Sequence, residues 1–186
     1  MKQDLRIAIT KKMIKEALLQ LLKTKTVNKI KINELCETAG VNRATFYRHY
    51  KTLQEVLQEI ETDFVKQIPP MERPPQNRKE AFAHIEAVCI YIDAHADILK
   101  LLFLNTPETD IIQGLKEFYQ EFLHLQKNFL PIENPDEDTI QIIIALIGGG
   151  CQSLVRKWIL DDIPKTPQEI ASILCNMICW SSDFKL

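Results

Sequence analysis

The apolar residues of this chain are spaced as they are in helices and not as they are in strands. Near the N-terminus they recur at i, i+1, i+4, i+5, i+8 and i+9, which places them on one helical face. These residues are Met13, Ile14, Ala17, Leu18, Leu21 and Leu22. Sustained alternation with a period of two is absent from the sequence. The pattern therefore predicts an all-α chain.

Polar residues and prolines mark where the helices begin and end. Thr52–Glu55 and Thr166–Glu169 have the spacing of a capping box, and Asn134 is a looser cap. Four prolines within residues 69–75 predict a break, because proline lacks the N–H that a helix needs. The predicted helices cover about 4–24, 32–38, 43–49, 53–67, 78–94, 96–104, 107–129, 135–160 and 167–182.

Charge also divides the chain. Residues 1–53 contain twelve Lys or Arg and four Asp or Glu, an excess of eight positive charges. Since the formal net charge of the chain is −2, the remaining residues carry an excess of ten negative charges. A basic head on an acidic body is typical of a protein that binds a polyanion. Lys-rich faces that meet only water would explain the charge equally well.

Composition argues against several classes of protein. No apolar run approaches the roughly 18 residues of a membrane span, and no apolar segment follows Met1, so neither a membrane anchor nor an export signal is expected. Five cysteines without a framework spacing favour reduced thiols in the cytoplasm. Cys175 and Cys179 are spaced i, i+4, but their apolar surroundings favour small buried side chains over a metal or redox pair. Without a nucleophile motif, a phosphate-binding loop or a metal signature, we expect no enzyme, cofactor or metal site.

Residues 36–57 have the pattern of a helix-turn-helix. The first helix ends at Gly40, which can adopt a left-handed backbone conformation at little cost. Val41 would pack back between the two helices, Asn42 would cap the second, and Phe46 would anchor it in the core. A short helix held in this way can present its outer face to the major groove of DNA.

The outer face of the second helix carries polar side chains. Arg can bind guanine through two hydrogen bonds, Thr can contact a base, and Asn can hold a phosphate. Lys51 follows the helix, where its side chain can reach the DNA backbone. The polar residues of the helix are Asn42, Arg43, Thr45, Arg48 and His49. A surface helix that meets only water is the alternative, and the basic surroundings favour DNA.

The first third of the chain contains the segments "ITKKMIKEALLQLL" and "VNKIKINELCETAGVNRATFYRHYKTLQEVL". They resemble the DNA-binding head of TetR/AcrR-type transcription regulators, and the "AGV-x-RATFYRHY" core is highly specific to that family. The later segment "GGGCQSLVRKWILDDIPKTPQEIASILCNMI" is similar to the last two helices of many members. The resemblance implies a homodimer of all-α subunits. In each, a three-helix DNA-binding domain (1–52) is joined by a connecting helix (53–68) to a ligand-binding and dimerisation domain (69–186).

The resemblance also implies roles for individual residues. By position, Arg43, Thr45 and Arg48 are the base readers, and Tyr47 and His49 are phosphate contacts. The full predicted DNA-binding set is Lys31, Asn42, Arg43, Thr45, Tyr47, Arg48, His49 and Lys51.

This chain departs from the family pattern at two positions. Lys31 stands where many members have Thr before the second helix, and Leu53 stands where many have Lys at the start of the fourth. The second departure removes one phosphate contact, which Lys31 or Lys51 could replace.

The predicted helix 135–160 carries apolar residues at helical spacing. The predicted helix 167–182 is apolar over much of its circumference, so it must be covered on several sides. We favour a partner subunit over a kinked monomeric core, because a two-fold reader of DNA needs two heads. Gly148–Gly150 would cost about 0.5–1 kcal/mol per Gly in mid-helix, which suits a close approach of backbones or a bend. The predicted interface comprises Ile140, Ile143, Ile144, Ile147, Cys151, Leu154, Val155, Trp158, Ile170, Ile173, Leu174, Met177 and Ile178.

A pocket for a small-molecule effector is predicted between the helices of the body, since such pockets are mostly apolar with a few polar groups. Each candidate residue taken alone is more often found in a core. The candidates are His84, Cys89, Tyr91, His95, Phe103, Tyr119, Phe122 and Trp158.

Two functions agree with these features. The leading one is a dimeric, ligand-responsive repressor in the cytoplasm, which binds a near-palindromic double-stranded operator and responds when an effector shifts it between two arrangements. The alternative is an interaction protein or co-regulator of the same fold, which binds a small molecule and a partner protein in place of DNA. Leu53 favours the alternative, and the intact polar face from Arg43 to Lys51 argues against it.

Overall fold

The structure is a computed structural model that describes residues 2–73, 75–105 and 136–179. These residues form α-helices joined by loops and one 3₁₀ turn, Val27–Lys29, and contain no strand. The all-α prediction is therefore confirmed. The helices are α1 Lys2–Leu22, α2 Ile32–Ala39, α3 Arg43–His49, α4 Leu53–Lys66, α5 Arg78–Ala94, α6 Ala96–Asn105, α7 Glu137–Leu160 and α8 Pro167–Cys179.

The predicted helix starts agree with the structure except at α1, which begins at Lys2 and not at about residue 4, and at α7. That helix begins at Glu137 with Asp136 as its cap, because the Asp136 carboxylate accepts the Thr139 N–H at 2.8 Å. The prediction of Asn134 as cap was wrong by two residues. A carboxylate is the better acceptor here because it also interacts favourably with the positive end of the helix dipole. The predicted helix 107–129 lies outside the described residues.

The described residues form two compact units, and the first comprises residues 2–64 together with 100–105. Its core is built from the inner faces of α1 to α4. The fully buried side chains include Ile14, Leu18, Leu35, Phe46, Val56 and Leu57, and α6 adds Leu102. Met13, predicted to be buried, is 40% exposed. The side chain of Asn105 accepts the Val27 N–H at 2.8 Å, which fastens the end of α6 to the 3₁₀ turn of this unit.

The second unit comprises residues 65–99 and 136–179 of the described chain, and α5 packs along α8 within it. Thr166 and Glu169 form the predicted capping box at the start of α8: the Thr166 N–H donates to Glu169 at 2.9 Å, and the Glu169 N–H donates to Thr166 at 3.2 Å. The buried Trp158 indole donates to the Lys165 carbonyl at 3.1 Å, which secures the loop between α7 and α8.

Helix α7 is, by length and composition alone, apolar enough to cross a membrane. The sequence predicted no membrane span, because it contains no unbroken run of apolar residues that is long enough. One stretch of helix α7 has a mean hydropathy of 1.4 although Gly148–Gly150 and polar residues interrupt its apolar residues. One face of α7 is buried in the second unit through Ile140, Cys151 and Val155.

Candidate DNA-binding surface

The turn between α2 and α3 is a Schellman motif centred on Gly40. Gly40 has φ of 66° and ψ of 28°, the left-handed conformation that glycine adopts without strain. The Gly40 N–H donates to the Glu37 carbonyl at 3.2 Å, and the Val41 N–H donates to the Cys36 carbonyl at 3.0 Å. These two bonds satisfy the last carbonyls of α2 and fix the direction in which the chain leaves it.

Helix α3 is fixed at both ends and along its inner face. The Asn42 side chain accepts the Thr45 N–H at 2.7 Å and so caps its first turn. Phe46 is fully buried, and the Tyr50 N–H donates to its carbonyl at 2.9 Å where the helix ends. The local geometry predicted for a helix-turn-helix is therefore present.

The exposed face of α3 consists of Arg43, Ala44, Tyr47 and Arg48, while Thr45 and His49 are half-buried at its edges. Ala44 has no polar group, so no sequence signal marked it, yet an exposed alanine methyl is a group that can contact thymine methyls.

Arg43 and Tyr47 contact each other on this face. The Arg43 guanidinium lies 5.7 Å from the centre of the Tyr47 ring, and its Nη2 donates to the Tyr47 hydroxyl at 3.4 Å. One helical turn separates the two residues, so the ring can hold the guanidinium in an extended position. From the sequence, base reading was predicted for Arg43 and a phosphate contact for Tyr47, but a contact between the two side chains was not predicted.

The three remaining predicted contacts lie at helix ends. Lys31 is exposed at the N-cap of α2, and its side chain makes no capping hydrogen bond. Asn42 caps α3, and Lys51 lies exposed between α3 and α4, with its backbone N–H donating to Glu55 at 2.6 Å. In the described chain no ion pair engages Lys31, Lys51, Arg43 or Arg48. Their charges are thus available to a polyanion.

The first unit is less basic than its first 53 residues. Helix α4 adds four acids, so the excess of positive charge over residues 1–64 is four and not eight. Some lysines are also paired within the unit: Lys25 with Glu34, and Lys12 with Glu16 at 3.8 Å. Lys31, Arg43, Arg48 and Lys51 take no part in these pairs.

A cluster of five side chains, which we call the α1–α4 cluster, joins α1, α4 and the end of α3. Lys11 Nζ lies 2.7 Å from one oxygen of Glu59, Lys15 Nζ lies 3.4 Å from the other, and Lys15 also pairs with Asp63. The Lys11 ammonium lies 5.1 Å from the centre of the Tyr50 ring. The buried Tyr50 hydroxyl faces Glu59 without a hydrogen bond of good geometry.

Electrostatics within the α1–α4 cluster favour its charged state. Burial opposes ionisation of Glu59, but the hydrogen bond from Lys11 and the charges of Lys11 and Lys15 outweigh it and lower the pKa of Glu59. Burial and then the Glu59 charge raise the pKa of Tyr50, which stays protonated. Sequence reasoning missed this cluster, because its ion-paired members lie 44 to 48 positions apart.

Five of the six predicted pocket residues that the structure describes lie in the second unit. Tyr91 and His95 stack with their rings 4.4 Å apart, and burial raises the pKa of Tyr91. Cys89 is buried in the second unit, where burial raises its pKa to about 12. Trp158 is buried there too, burial lowers the pKa of the half-buried His84, and Phe103 is buried in the first unit. Tyr119 and Phe122 lie outside the described residues.

A cleft of about 430 Å³ opens in the second unit between the start of α5 and α8. Its lining includes two cations and the buried Cys175 but none of the predicted pocket residues. The lining residues are Arg78, Lys79, Phe82, Ser172, Cys175 and Asn176.

The predicted interface residues that the structure describes divide into three groups by exposure. Ile173 and Met177 are exposed on α8, whereas one set is buried within the second unit itself: Ile140, Cys151, Val155, Trp158, Ile170 and Leu174. Ile143, Ile147 and Leu154 are half-buried, and the side chains of Ile144 and Ile178 lie outside the described part. Two residues outside the predicted set, Ile142 and Leu146, are 69% and 75% exposed.

Comparison with known proteins identifies relatives of this chain. Residues 79–179 match the family model TetR_C_8, described as a transcriptional regulator C-terminal region. A search of curated proteins finds no match.

Three solved structures share the fold. The TetR transcriptional regulator from Streptococcus agalactiae 2603V matches with a TM-score of 0.72 and 18% identity, over 96% of this chain and 98% of that chain. The fatty acid degradation regulator FadR from Bacillus halodurans gives 0.68 and 15%, over 95% and 97%. The dihydroxyacetone kinase operon activator DhaS gives 0.66 and 16%, over 96% and 99%. At these identities the likeness concerns the fold alone.

Proposed function

We propose, from the premise that this chain belongs to the TetR-type transcriptional regulators, that it is a homodimeric repressor whose binding to a near-palindromic DNA operator responds to a small molecule. Its place of action is the cytoplasm, and it acts by binding and not by catalysis. The domain boundaries at residues 52 and 68 belong to the same proposal.

The observation that carries DNA binding is the geometry of α3. The helix is held rigidly by Gly40, Asn42 and Phe46, and it presents Arg43 and Arg48 outward without an acidic partner. Rigid mounting matters because hydrogen bonds to base edges need side chains in fixed positions. Arg43, Thr45 and Arg48 read bases in this proposal.

The other predicted contacts bind phosphates, which position the helix without reading sequence. They are Lys31, Asn42, Tyr47, His49 and Lys51. Tyr47 has a second task, since it also supports the Arg43 guanidinium. Lys31 or Lys51 takes the place of the cation that Leu53 does not provide.

Exposed apolar residues on α7 and α8 support the homodimer. Ile142, Leu146, Ile173 and Met177 lie on the surface of the single chain, where large apolar side chains are costly to leave in water. Interface formation would cover them, and the predicted interface thereby extends to Ile142 and Leu146.

Effector binding is assigned to the second unit, which contains most of the candidate pocket residues. An effector weakens operator binding only if it binds the two arrangements of the dimer with different affinity. One structural neighbour is titled an activator, and at 16% identity its sign of regulation does not transfer.

Selection from a random duplex pool tests this function. The full-length protein should enrich a near-palindromic site with half-sites about one helical turn apart, and sedimentation should find a dimer at micromolar concentration. Enrichment of no symmetric site would favour the co-regulator alternative, in which the fold binds a partner protein. A monomer that still enriches half-sites would overturn the dimer alone.

A further inference from the structure

Helix α4 brings acidic residues into a unit that we propose binds DNA. Acids near a DNA-binding surface are expected to weaken binding, because they repel the phosphates. Glu59 is nevertheless placed where it holds two lysines of α1. We propose that Glu59 is a specificity-determining residue: its carboxylate holds Lys11 against Tyr50 and thereby fixes the end of α3 in the orientation that base reading requires. This inference rests on the proposed DNA-binding function.

The Glu59 carboxylate holds two lysines of α1 at the same time. Its two oxygens are engaged by different side chains, Lys11 Nζ at 2.7 Å and Lys15 Nζ at 3.4 Å. The side chain of Glu59 is 28% exposed, so water screens these contacts less than those of a surface pair. Asp63 engages Lys15 from one turn further along α4. Two turns of α1 are thus attached to two turns of α4.

Tyr50 connects Glu59 and Lys11 to α3. It is the residue at which α3 ends, its N–H donates to the Phe46 carbonyl at 2.9 Å, and its ring lies 6.0 Å from the Phe46 ring. The Lys11 ammonium lies over the same ring, 5.1 Å from its centre. Release of Lys11 would remove one of the groups that hold the Tyr50 ring in place. Arg48 and His49 directly precede Tyr50 in the last turn of α3, so they would become less fixed as well.

Loss of the Glu59 charge therefore has two opposite effects on DNA binding. Attraction to phosphates is not directional, so one negative charge fewer strengthens binding to any sequence. Hydrogen bonds to base edges are directional, so a looser α3 weakens binding to the operator. A residue that only contributes charge produces the first effect without the second.

The experiment compares Glu59→Gln with Glu16→Gln in the full-length protein. Both changes remove one acid that pairs with a lysine of α1, but the exposed Glu16–Lys12 pair lies within α1 and joins no other helix. Fluorescence anisotropy would measure affinity for the selected operator and for a random duplex of equal length at one salt concentration. In Glu59→Gln we expect the ratio of the two affinities to fall by about tenfold. Affinity for random DNA should be equal or higher, and Glu16→Gln should keep the wild-type ratio.

A double-mutant cycle tests the mechanism and guards against misfolding. Lys11→Met leaves Glu59 paired with Lys15 and should lower the ratio as Glu59→Gln does. The combined variant should lose no more than either single variant, because both break the same contact. Circular dichroism would verify helicity, and if Glu59→Gln fails to fold, Lys11→Met alone decides. An unchanged ratio or additive losses would overturn the inference. A wild-type protein that does not discriminate between sequences would overturn the proposed DNA-reading function as well.

Discussion

Gly40 determines at the level of one residue how α2 and α3 meet. A Cβ built there would lie 3.9 Å from the Met13 side chain, which is an ordinary contact. A side chain at this position therefore costs energy through the left-handed backbone, φ 66°, and not through a clash.

Gly40→Val is expected to abolish operator binding while the protein stays folded and dimeric. A β-branched residue at positive φ costs about 1–2 kcal/mol, and relief of that strain would change the angle between the helices. Gly40→Asn is the matched control, because Asn tolerates this conformation and should retain most of the affinity. A gel shift beside a size-exclusion profile measures both properties. Full affinity in the Val variant would show that α3 does not depend on this turn.

The residues that could be predicted are those whose role follows from the residues next to them in the sequence. Gly40, Asn42 and Phe46 follow from neighbouring positions, and the structure places each as expected. The stacking of Arg43 on Tyr47 could not be read in advance, because a spacing of four positions permits the contact without requiring it.

At the level of elements, no side chain caps the start of α2. Lys31 occupies the N-cap, and an ammonium group can only donate hydrogen bonds, whereas capping needs an acceptor. Compared with the Thr of the family pattern, Lys31 therefore adds a positive charge but cannot cap the helix.

Lys31→Ser should change stability and DNA binding in opposite directions. A serine cap is expected to stabilise the protein by about 0.5–1 kcal/mol, and loss of the cation should weaken all duplexes alike. The slope of log K against log salt should become shallower by about one. Lys31→Ala removes the charge without adding a cap, so its affinity should match that of the Ser variant. Thermal denaturation and salt titration provide the measurements, and equal stability of the two variants would contradict the capping argument.

Helix positions could be predicted closely, but contacts between helices could not. Caps and prolines are local, and even the error at α7 moved its cap by only two residues, from Asn134 to Asp136. The α1–α4 cluster depends on which faces of two distant helices meet, and sequence spacing does not contain that information.

At the level of the whole molecule, the same limit applies to subunit association. Apolar spacing on α7 and α8 identified residues that must be covered, but it did not tell the chain's own core from a partner. Ile140 and Leu174 are buried within the second unit, while Ile142 and Leu146 are exposed.

Leu146→Glu is expected to shift the protein from dimer to monomer without unfolding it. The side chain is 75% exposed in the single chain, so a charge there costs little until a partner covers it. Ile90→Glu on α5, where Ile90 is 54% exposed, is the matched control and should leave the dimer intact. Sedimentation with circular dichroism separates association from folding. A dimeric Leu146→Glu protein would place the interface elsewhere.

The hydrogen bond from the Val27 N–H to Asn105 has a consequence for how the protein is made. The two residues lie 78 positions apart, and a ribosome synthesises all of α2 to α5 between them. Val27 is buried, so its N–H stays without this acceptor until α6 has left the exit tunnel. The first unit is therefore completed during translation only after much of the second has been synthesised. In a nascent chain stalled before residue 105, α3 would be present while the unit that holds it was still incomplete.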